Sequence, residues 1–185
     1  MRDFFSNTFF IVTIAISATI ITLTYLISFR TRIWESFLRR KMEKEIASLK
    51  GHYILCGLGR VGHQIAAELM KAKVPFVVID REDKSELCRK SKYLYINADA
   101  ARDDGAFRQA EIAKAKAVII AAGDDADCVF MAVAARSINP SINLIARASS
   151  HEGADKLRKL GVNKISMPHI IGGKHMADLA LGKES

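Results

Sequence analysis

The chain has 185 residues, half of them hydrophobic and 26% charged, which is material for about one folded domain and too apolar for a disordered chain. Its net charge of +8 is spread: the first 50 residues carry 8 Lys+Arg against 4 Asp+Glu, and the remaining 135 carry 20 against 16. That near balance argues against a general nucleic-acid binder, and three isolated cysteines argue against a disulfide-stapled fold.

Phe4 to Phe29 is a run of 26 residues without a charge. As a helix it would extend about 39 Å, at about 1.5 Å per residue, against a hydrocarbon core of roughly 30 Å. The run therefore predicts a transmembrane helix over 4–29. A secretory signal peptide is the rival reading, with Ala15-Ile16-Ser17 near a cleavage point. Its apolar region should span about 7–15 residues, and this one continues through Tyr25-Leu26-Ile27. Arg30, Arg32, Arg39, Arg40 and Lys41 come after the run and Arg2 alone precedes it, which predicts a single-pass protein of the cell membrane with its C-terminal part cytoplasmic. Cys56, Cys88 and Cys128, with no CxxC, suit a reducing compartment and read as small buried hydrophobes. The hydroxyls of Ser6, Thr8, Thr13, Ser17, Thr19, Thr22, Thr24 and Ser28 suit bonding back to helical carbonyls or packing on partner helices.

Residues 30–50 read as a basic amphipathic linker helix, with Trp34, Leu38, Met42, Ile46 and Leu49 at spacings of three or four. Its cations, Arg39, Arg40, Lys41 and Lys44, suit either a solvated connector touching lipid headgroups or a mechanical link between the membrane and the C-terminal domain.

From His52 the pattern changes to short apolar runs separated by helical stretches. Strands are expected at His52–Cys56, Phe76–Asp80, Tyr93–Asn97, Ala117–Ala121, Asn143–Ala146 and Lys164–Met167. Helices are expected at about 61–72, 83–91, 103–113, 124–138 and 151–160. This alternation predicts an α/β domain over 51–168, a Rossmann-like doubly wound parallel sheet covered by helices on both faces.

The first turn of that domain carries chemistry. Gly57-Leu58-Gly59-Arg60-Val61-Gly62 lies between a strand and a helix, as the dinucleotide fingerprint requires. Gly57 would permit a tight turn, Gly59 close approach of a pyrophosphate, and Gly62 packing of helix on sheet. The phosphates would meet unpaired N–H groups at the helix start. Asp80 ends the second strand, 18 residues after Gly62, where a carboxylate can accept from ribose hydroxyls and would repel a 2′-phosphate. NAD(H) or an adenine nucleotide (ATP, ADP or AMP) is therefore favoured over NADP(H), with Arg81 next door softening the exclusion.

Leu49 to Gly62, Val78-Ile79-Asp80, Asn97-Ala98-Asp99-Ala100, Ala122-Gly123-Asp124-Asp125, Ile145-Ala146-Arg147-Ala148 and Met167-Pro168 together resemble the RCK/KTN (TrkA-N) regulatory domain of potassium channels and transporters. The resemblance covers roughly residues 30–182. It implies a nucleotide across the strand ends, held by the glycine turn, by Asp80 at the ribose, by Asp99 and Ala100 beside the adenine, and by Arg147 at the phosphates. Ala122, Gly123 and Asp124 belong to the same rim. Many relatives carry Thr or Asn where this chain has Ala121-Ala122, so backbone and Gly123 remain there. Calcium-gated relatives carry acids where this chain has Arg147 and Ser149, and Asp99 alone falls short of the roughly 6–8 oxygens Ca²⁺ needs.

No catalytic constellation is legible. Tyr-x-x-x-Lys is missing, since Gly57, Asn97 and Asp99 stand four residues beyond Tyr53, Tyr93 and Tyr95. His52, His63, His151, His169 and His175 are scattered and read as structural or surface residues. No TVGYG-like filter is present, so the chain reads as either a stand-alone subunit or a channel cut at its inner helix. Residues 169–185 should form a terminal helix whose apolar positions demand a partner surface. The resemblance implies dimerisation there, with paired domains assembling into a ring beneath a pore. The expected function is a non-enzymatic, ligand-gated regulatory subunit or fragment of a potassium channel or transport system, partnered by a homo-oligomer and a pore-forming subunit. A membrane-anchored NAD-dependent oxidoreductase subunit and a ligand-free assembly module are the alternatives.

Overall fold

The computed structural model describes residues 21–27, 29–30 and 37–183. The chain divides into two compact units, one ending at Met42 and the other beginning at Glu43. The transmembrane helix expected over 4–29 lies largely outside the described residues, and so does Trp34. Residues 21–27 are helical, and the Thr24 hydroxyl donates to the Ile21 carbonyl at 2.8 Å, the back-bonding its hydroxyl-rich sequence suggested. Among the described residues no helix is long and apolar enough to cross a membrane.

Residues 37–48 are helical (α1), and within the second unit Ile46, on the predicted apolar stripe, is buried. Beyond α1 the chain forms β1 (Tyr53–Cys56), α2 (Arg60–Lys71), β2 (Phe76–Asp80), α3 (Ser85–Ser91), β3 (Leu94–Asn97), α4 (Gly105–Gln109), a 3-10 turn (Ile112–Lys114) and β4 (Ala117–Ile120). Then come α5 (Asp125–Ile138), β5 (Asn143–Arg147), α6 (His151–Lys159), β6 (Lys164–Ser166) and α7 (Pro168–Ala180).

The six strands form one parallel sheet in the order β3-β2-β1-β4-β5-β6, the doubly wound arrangement the alternating pattern predicted. Its centre is dry because the central strands are apolar without interruption: Ile54, Leu55, Val77, Val78 and Val118 are fully buried. The edge strand β6 instead exposes Lys164 and Ser166, polar residues that discourage pairing with another edge.

Most element bounds shift by one or two residues from the sequence reading, and one element differs in kind. The helix expected over 103–113 is broken, since Glu111 adopts φ +55° and separates α4 from the 3-10 turn. The terminal helix, expected over 169–185, runs from Pro168 to Ala180, starting one residue earlier because proline at a first helical position has no amide to leave unpaired. His52 is fully buried, with Nε2 2.8 Å from the Ala110 carbonyl. All three cysteines are buried, and burial pushes the Cys88 thiol up to about 11 and the Cys128 thiol up to about 12.

Asp125 fastens the α5 start to the loop after β5. Its Oδ1 accepts from the Ser149 amide at 2.7 Å, and its Oδ2 accepts from the Ser150 amide at 3.0 Å and the Ser150 hydroxyl at 2.7 Å. Ser150 in turn caps α6 by accepting from the Gly153 amide at 2.9 Å. Partial burial pushes the Asp125 carboxyl up, but the hydrogen bonds from Ser149 and Ser150 together outweigh it and hold the group below its usual range. A carboxyl lowered in the folded state stabilises fully above its unfolded value of about 3.9, and that contribution disappears as pH falls through the folded value. Asp125→Asn is therefore expected to lose about 1 kcal/mol of stability at neutral pH, solvent screening included, and to lose less on acidification than the parent. Urea-unfolding midpoints measured from pH 6 downwards check this; parallel profiles for the two proteins would refute it.

Candidate functional site

The carboxyl ends of the strands open into a cavity of about 490 Å³, lined from β1 through Gly57, from β2 through Asp80 and from β5 through Arg147. It lies where the strand order reverses, with β2 on one side of β1 and β4 on the other. Open parallel sheets leave a crevice at that point because successive crossovers go to opposite faces.

The glycine turn is shaped by its own packing. Gly57 has φ +92°, and a Cβ there would lie 3.1 Å from the backbone of Ala121 and Ala122. A Cβ on Gly62 would lie 1.9 Å from the Gly57 carbonyl oxygen. These two glycines are thus required by the protein itself, which lets α2 sit directly on the turn. Gly59 is different: it caps α2, and beyond its own neighbours in the chain nothing comes within 4 Å of the position its Cβ would take. The open space beside it adjoins the first amides of α2, a site suited to an anion.

Asp80 ties this turn to the next loop. Its Oδ2 accepts from the Leu58 amide at 2.6 Å and its Oδ1 from the Glu82 amide at 2.8 Å. A carboxylate has about four acceptor positions, so about two remain for hydroxyl donors in the cavity. The loop after β2 is braced from behind by Tyr95, whose hydroxyl donates to the Glu82 carbonyl at 2.7 Å and accepts from the Lys84 amide at 3.0 Å. Asn97 Nδ2 donates to the Asp80 and Arg81 carbonyls at 3.1 and 3.2 Å.

Charges in the cavity divide into paired and unpaired groups. Arg81 pairs with Asp127 at 3.1 Å, and Lys84 with Glu82 at 2.6 Å. Asp99 pairs with Arg102 at 2.8 Å. Among the described residues Arg60 and Arg147 have no carboxylate partner. Arg147 Nη2 instead donates to Ser149 Oγ at 2.8 Å and lies 3.1 Å from His169 Nε2, while its Nε is buried without a partner. Arg147 makes no ion pair with Asp124 or Asp125, which bond to backbone amides and to Ser150. The cavity therefore offers hydroxyl acceptors beside Asp80 and uncompensated positive charge at Arg60 and Arg147.

All but three of the residues expected at the site line the cavity: Gly57, Gly59, Arg60 and Val61 from the turn, Asp80 and Arg81 from the β2 end, Asp99 and Ala100, Ala122 and Gly123, and Arg147. Leu58 is buried and contributes its amide to Asp80, and Gly62 supports Gly57 from below. Asp124 caps α5, accepting from the Ala126 amide at 2.6 Å. The sequence reading missed Glu82, Lys84, Asp127, Met131, Pro168 and His169, which also line the cavity. Pro168 belongs to the Met167-Pro168 pair of the resemblance but was given no place in the site, the others belong to no motif, and His169, read as structural or surface, is brought in by the short turn between β6 and α7.

Residues 53–168 match the TrkA-N domain. The chain belongs to this family. It is 37% identical over 150 residues to potassium channel protein 1 of Methanocaldococcus jannaschii, which spans 80% of this chain and 45% of that protein. It is 39% identical over 153 residues to the probable potassium channel protein 2 of the same organism, spanning 80% and 44%. The chain thus covers less than half the length of either relative. Among solved structures, the GsuK RCK domain is 30% identical with a TM-score of 0.63, covering 74% of this chain and 30% of that one. GsuK bound to ADP is 28% identical with a TM-score of 0.62, covering 78% and 39%.

The steric role of Gly62 gives a test that needs no ligand. Gly62→Ala forces a methyl group onto the Gly57 carbonyl, and overpacking of this kind costs about 1–3 kcal/mol. Gly59→Ala meets nothing and should leave stability within about 0.5 kcal/mol of the parent. Equal urea midpoints for both variants would contradict the packing account.

Proposed function

We propose that this TrkA-N domain binds NAD(H) or an adenine nucleotide in the switch-point cavity and regulates potassium flux through a membrane pore. The observation that carries the reading is the division of the cavity. Asp80 has acceptor capacity left for ribose hydroxyls, while Arg60, Arg147 and the first amides of α2 offer positive charge to phosphates. Asp99 and Ala100 would flank the adenine and Ala122 and Gly123 would leave the fourth-strand rim open. The potassium channel relatives and the ADP complex of GsuK support the same assignment.

The uncharged run over 4–29 serves in this reading as the transmembrane helix of a single-pass protein, leading through the linker over 30–50 into the cytoplasmic domain. Helix α7, within the terminal segment 169–185, supplies the dimer contact. No residue of α7 is buried, and Ile171, Met176 and Leu179 are 61%, 71% and 61% exposed. An apolar face of this size on a helix of 13 residues calls for a partner surface, here a second copy of the domain. Gating then requires that the ligand bind one arrangement of paired domains better than the other, because equal affinity shifts nothing.

Calorimetry of the full chain in detergent with NAD⁺, NADH, ATP, ADP and AMP tests the ligand. At least one should bind, and Asp80→Ala should weaken it about tenfold or more with the circular dichroism spectrum retained. NADP⁺ should bind more weakly than NAD⁺ because its 2′-phosphate meets the Asp80 carboxylate. Failure of every nucleotide to bind would end the sensor reading, and hydride transfer to a small substrate would replace it with the oxidoreductase.

A further inference from the structure

We propose that His169 is a positioning residue for phosphate recognition, orienting Arg147 and linking nucleotide affinity to the seating of α7; this rests on the nucleotide reading above. A guanidinium has five donors and no acceptor, so the ring nitrogen of His169 at 3.1 Å from Arg147 Nη2 must be the acceptor. The imidazole is therefore neutral there, with its proton on Nδ1. The two hydrogens of Nη2 are then both engaged, one by His169 and one by Ser149 Oγ at 2.8 Å. Fixing one nitrogen of a planar group by two bonds fixes the plane. Nη1 has no partner among the described residues and is not buried, so it remains available to an incoming phosphate oxygen.

Neither bond to Nη2 neutralises the guanidinium, since a hydroxyl and a neutral imidazole carry no net charge. Arg147 is thus held in place without losing the charge that phosphate would meet, as a carboxylate partner would have caused. Preorganisation of this kind strengthens binding by reducing the side-chain entropy lost when the complex forms. His169 is also the second residue of α7, whose outer face is apolar and exposed. By linkage, whatever seats α7 tightens phosphate binding, and phosphate binding steadies α7 by the same factor.

The test compares ADP with adenosine on the full chain. His169→Ala should weaken ADP about tenfold and leave adenosine unchanged, while His169→Gln, which keeps an acceptor, should recover part of the loss. Arg147→Ala combined with His169→Ala should bind ADP no more weakly than Arg147→Ala alone, because His169 acts through Arg147. In the parent, ADP should slow amide exchange at the start of α7, and in His169→Ala it should not. Unchanged ADP affinity in His169→Ala, an equal loss for adenosine, additive losses in the double variant, or α7 exchange indifferent to ADP would each overturn the proposal. A parent chain that binds none of NAD⁺, NADH, ATP, ADP and AMP would remove the nucleotide reading itself, a result distinct from any of these; where another of them binds in place of ADP, that nucleotide takes its place in the comparison with adenosine.

Discussion

Two backbone amides converge on the Asp80 carboxylate, Leu58 at 2.6 Å and Glu82 at 2.8 Å, and the shape of the cavity depends on that convergence. One amide belongs to the glycine turn after β1 and the other to the loop after β2. The parallel pairing of these strands brings both loops to the same end of the sheet, but pairing alone does not hold loops. The carboxylate does, because each bond is charge-assisted and each amide lacks another partner at that point in the turn. Asp80 is thus structural before it is anything else, and it retains acceptor positions while serving that role. A residue that merely closed a turn could have been Asn or Ser; in the proposed function the negative charge is what favours hydroxyl over phosphate beside it.

The same separation appears in the cations. Arg81 and Lys84 are near the Asp80 end, and both are paired, to Asp127 and Glu82. These exposed pairs add little to stability, a fraction of a kcal/mol each, yet they cancel positive charge beside the hydroxyl acceptors. Arg60 and Arg147 keep theirs. The cavity is thus lined both by a carboxylate with acceptor capacity left and by two guanidiniums without a carboxylate partner among the described residues, so hydroxyl and phosphate groups have different groups to meet. Neither net charge nor composition foretold this, since the domain is nearly balanced overall and pairing alone decides which cations keep their charge.

Much of the architecture was legible because it derives from periodicity and from turns that tolerate few residue types. The β2 run Phe76-Val77-Val78-Ile79-Asp80 is apolar up to its last residue and was read with the bounds it has, since a strand buried on both faces admits little else. The glycine turn was legible because a Cβ is excluded at Gly57 and Gly62 by contacts of 3.1 and 1.9 Å. The break at Glu111 was not, because a left-handed Glu is permitted by the end of α4 and is marked by no glycine. Arg147 was named through the family resemblance, and it lies at the end of β5 on the rim of the cavity. His169 was missed for the opposite reason: it lies after β6 on a helix, and only the return of the chain across the sheet brings it 3.1 Å from Arg147. For the residues over 4–29 the legible feature is charge alone, and that reading stands on the sequence.

Helix α7 carries the last physical tension in the molecule. It has 13 residues, none of them buried, and contains Gly172 and Gly173. A free helix of that length is marginal in water, and each glycine costs up to about 1 kcal/mol against alanine. Two things are available to hold it. At its start, His169 anchors it to the cavity through Arg147; along its length, Ile171, Met176 and Leu179 leave most of their apolar surface exposed among the described residues. A segment so poorly supported by its own domain has an order that responds to what it touches. In the proposed function both contacts matter: the cavity acts at one end of α7 and a partner surface acts along its face, so a small change in Arg147 can alter how two domains meet without any deformation of the sheet between them.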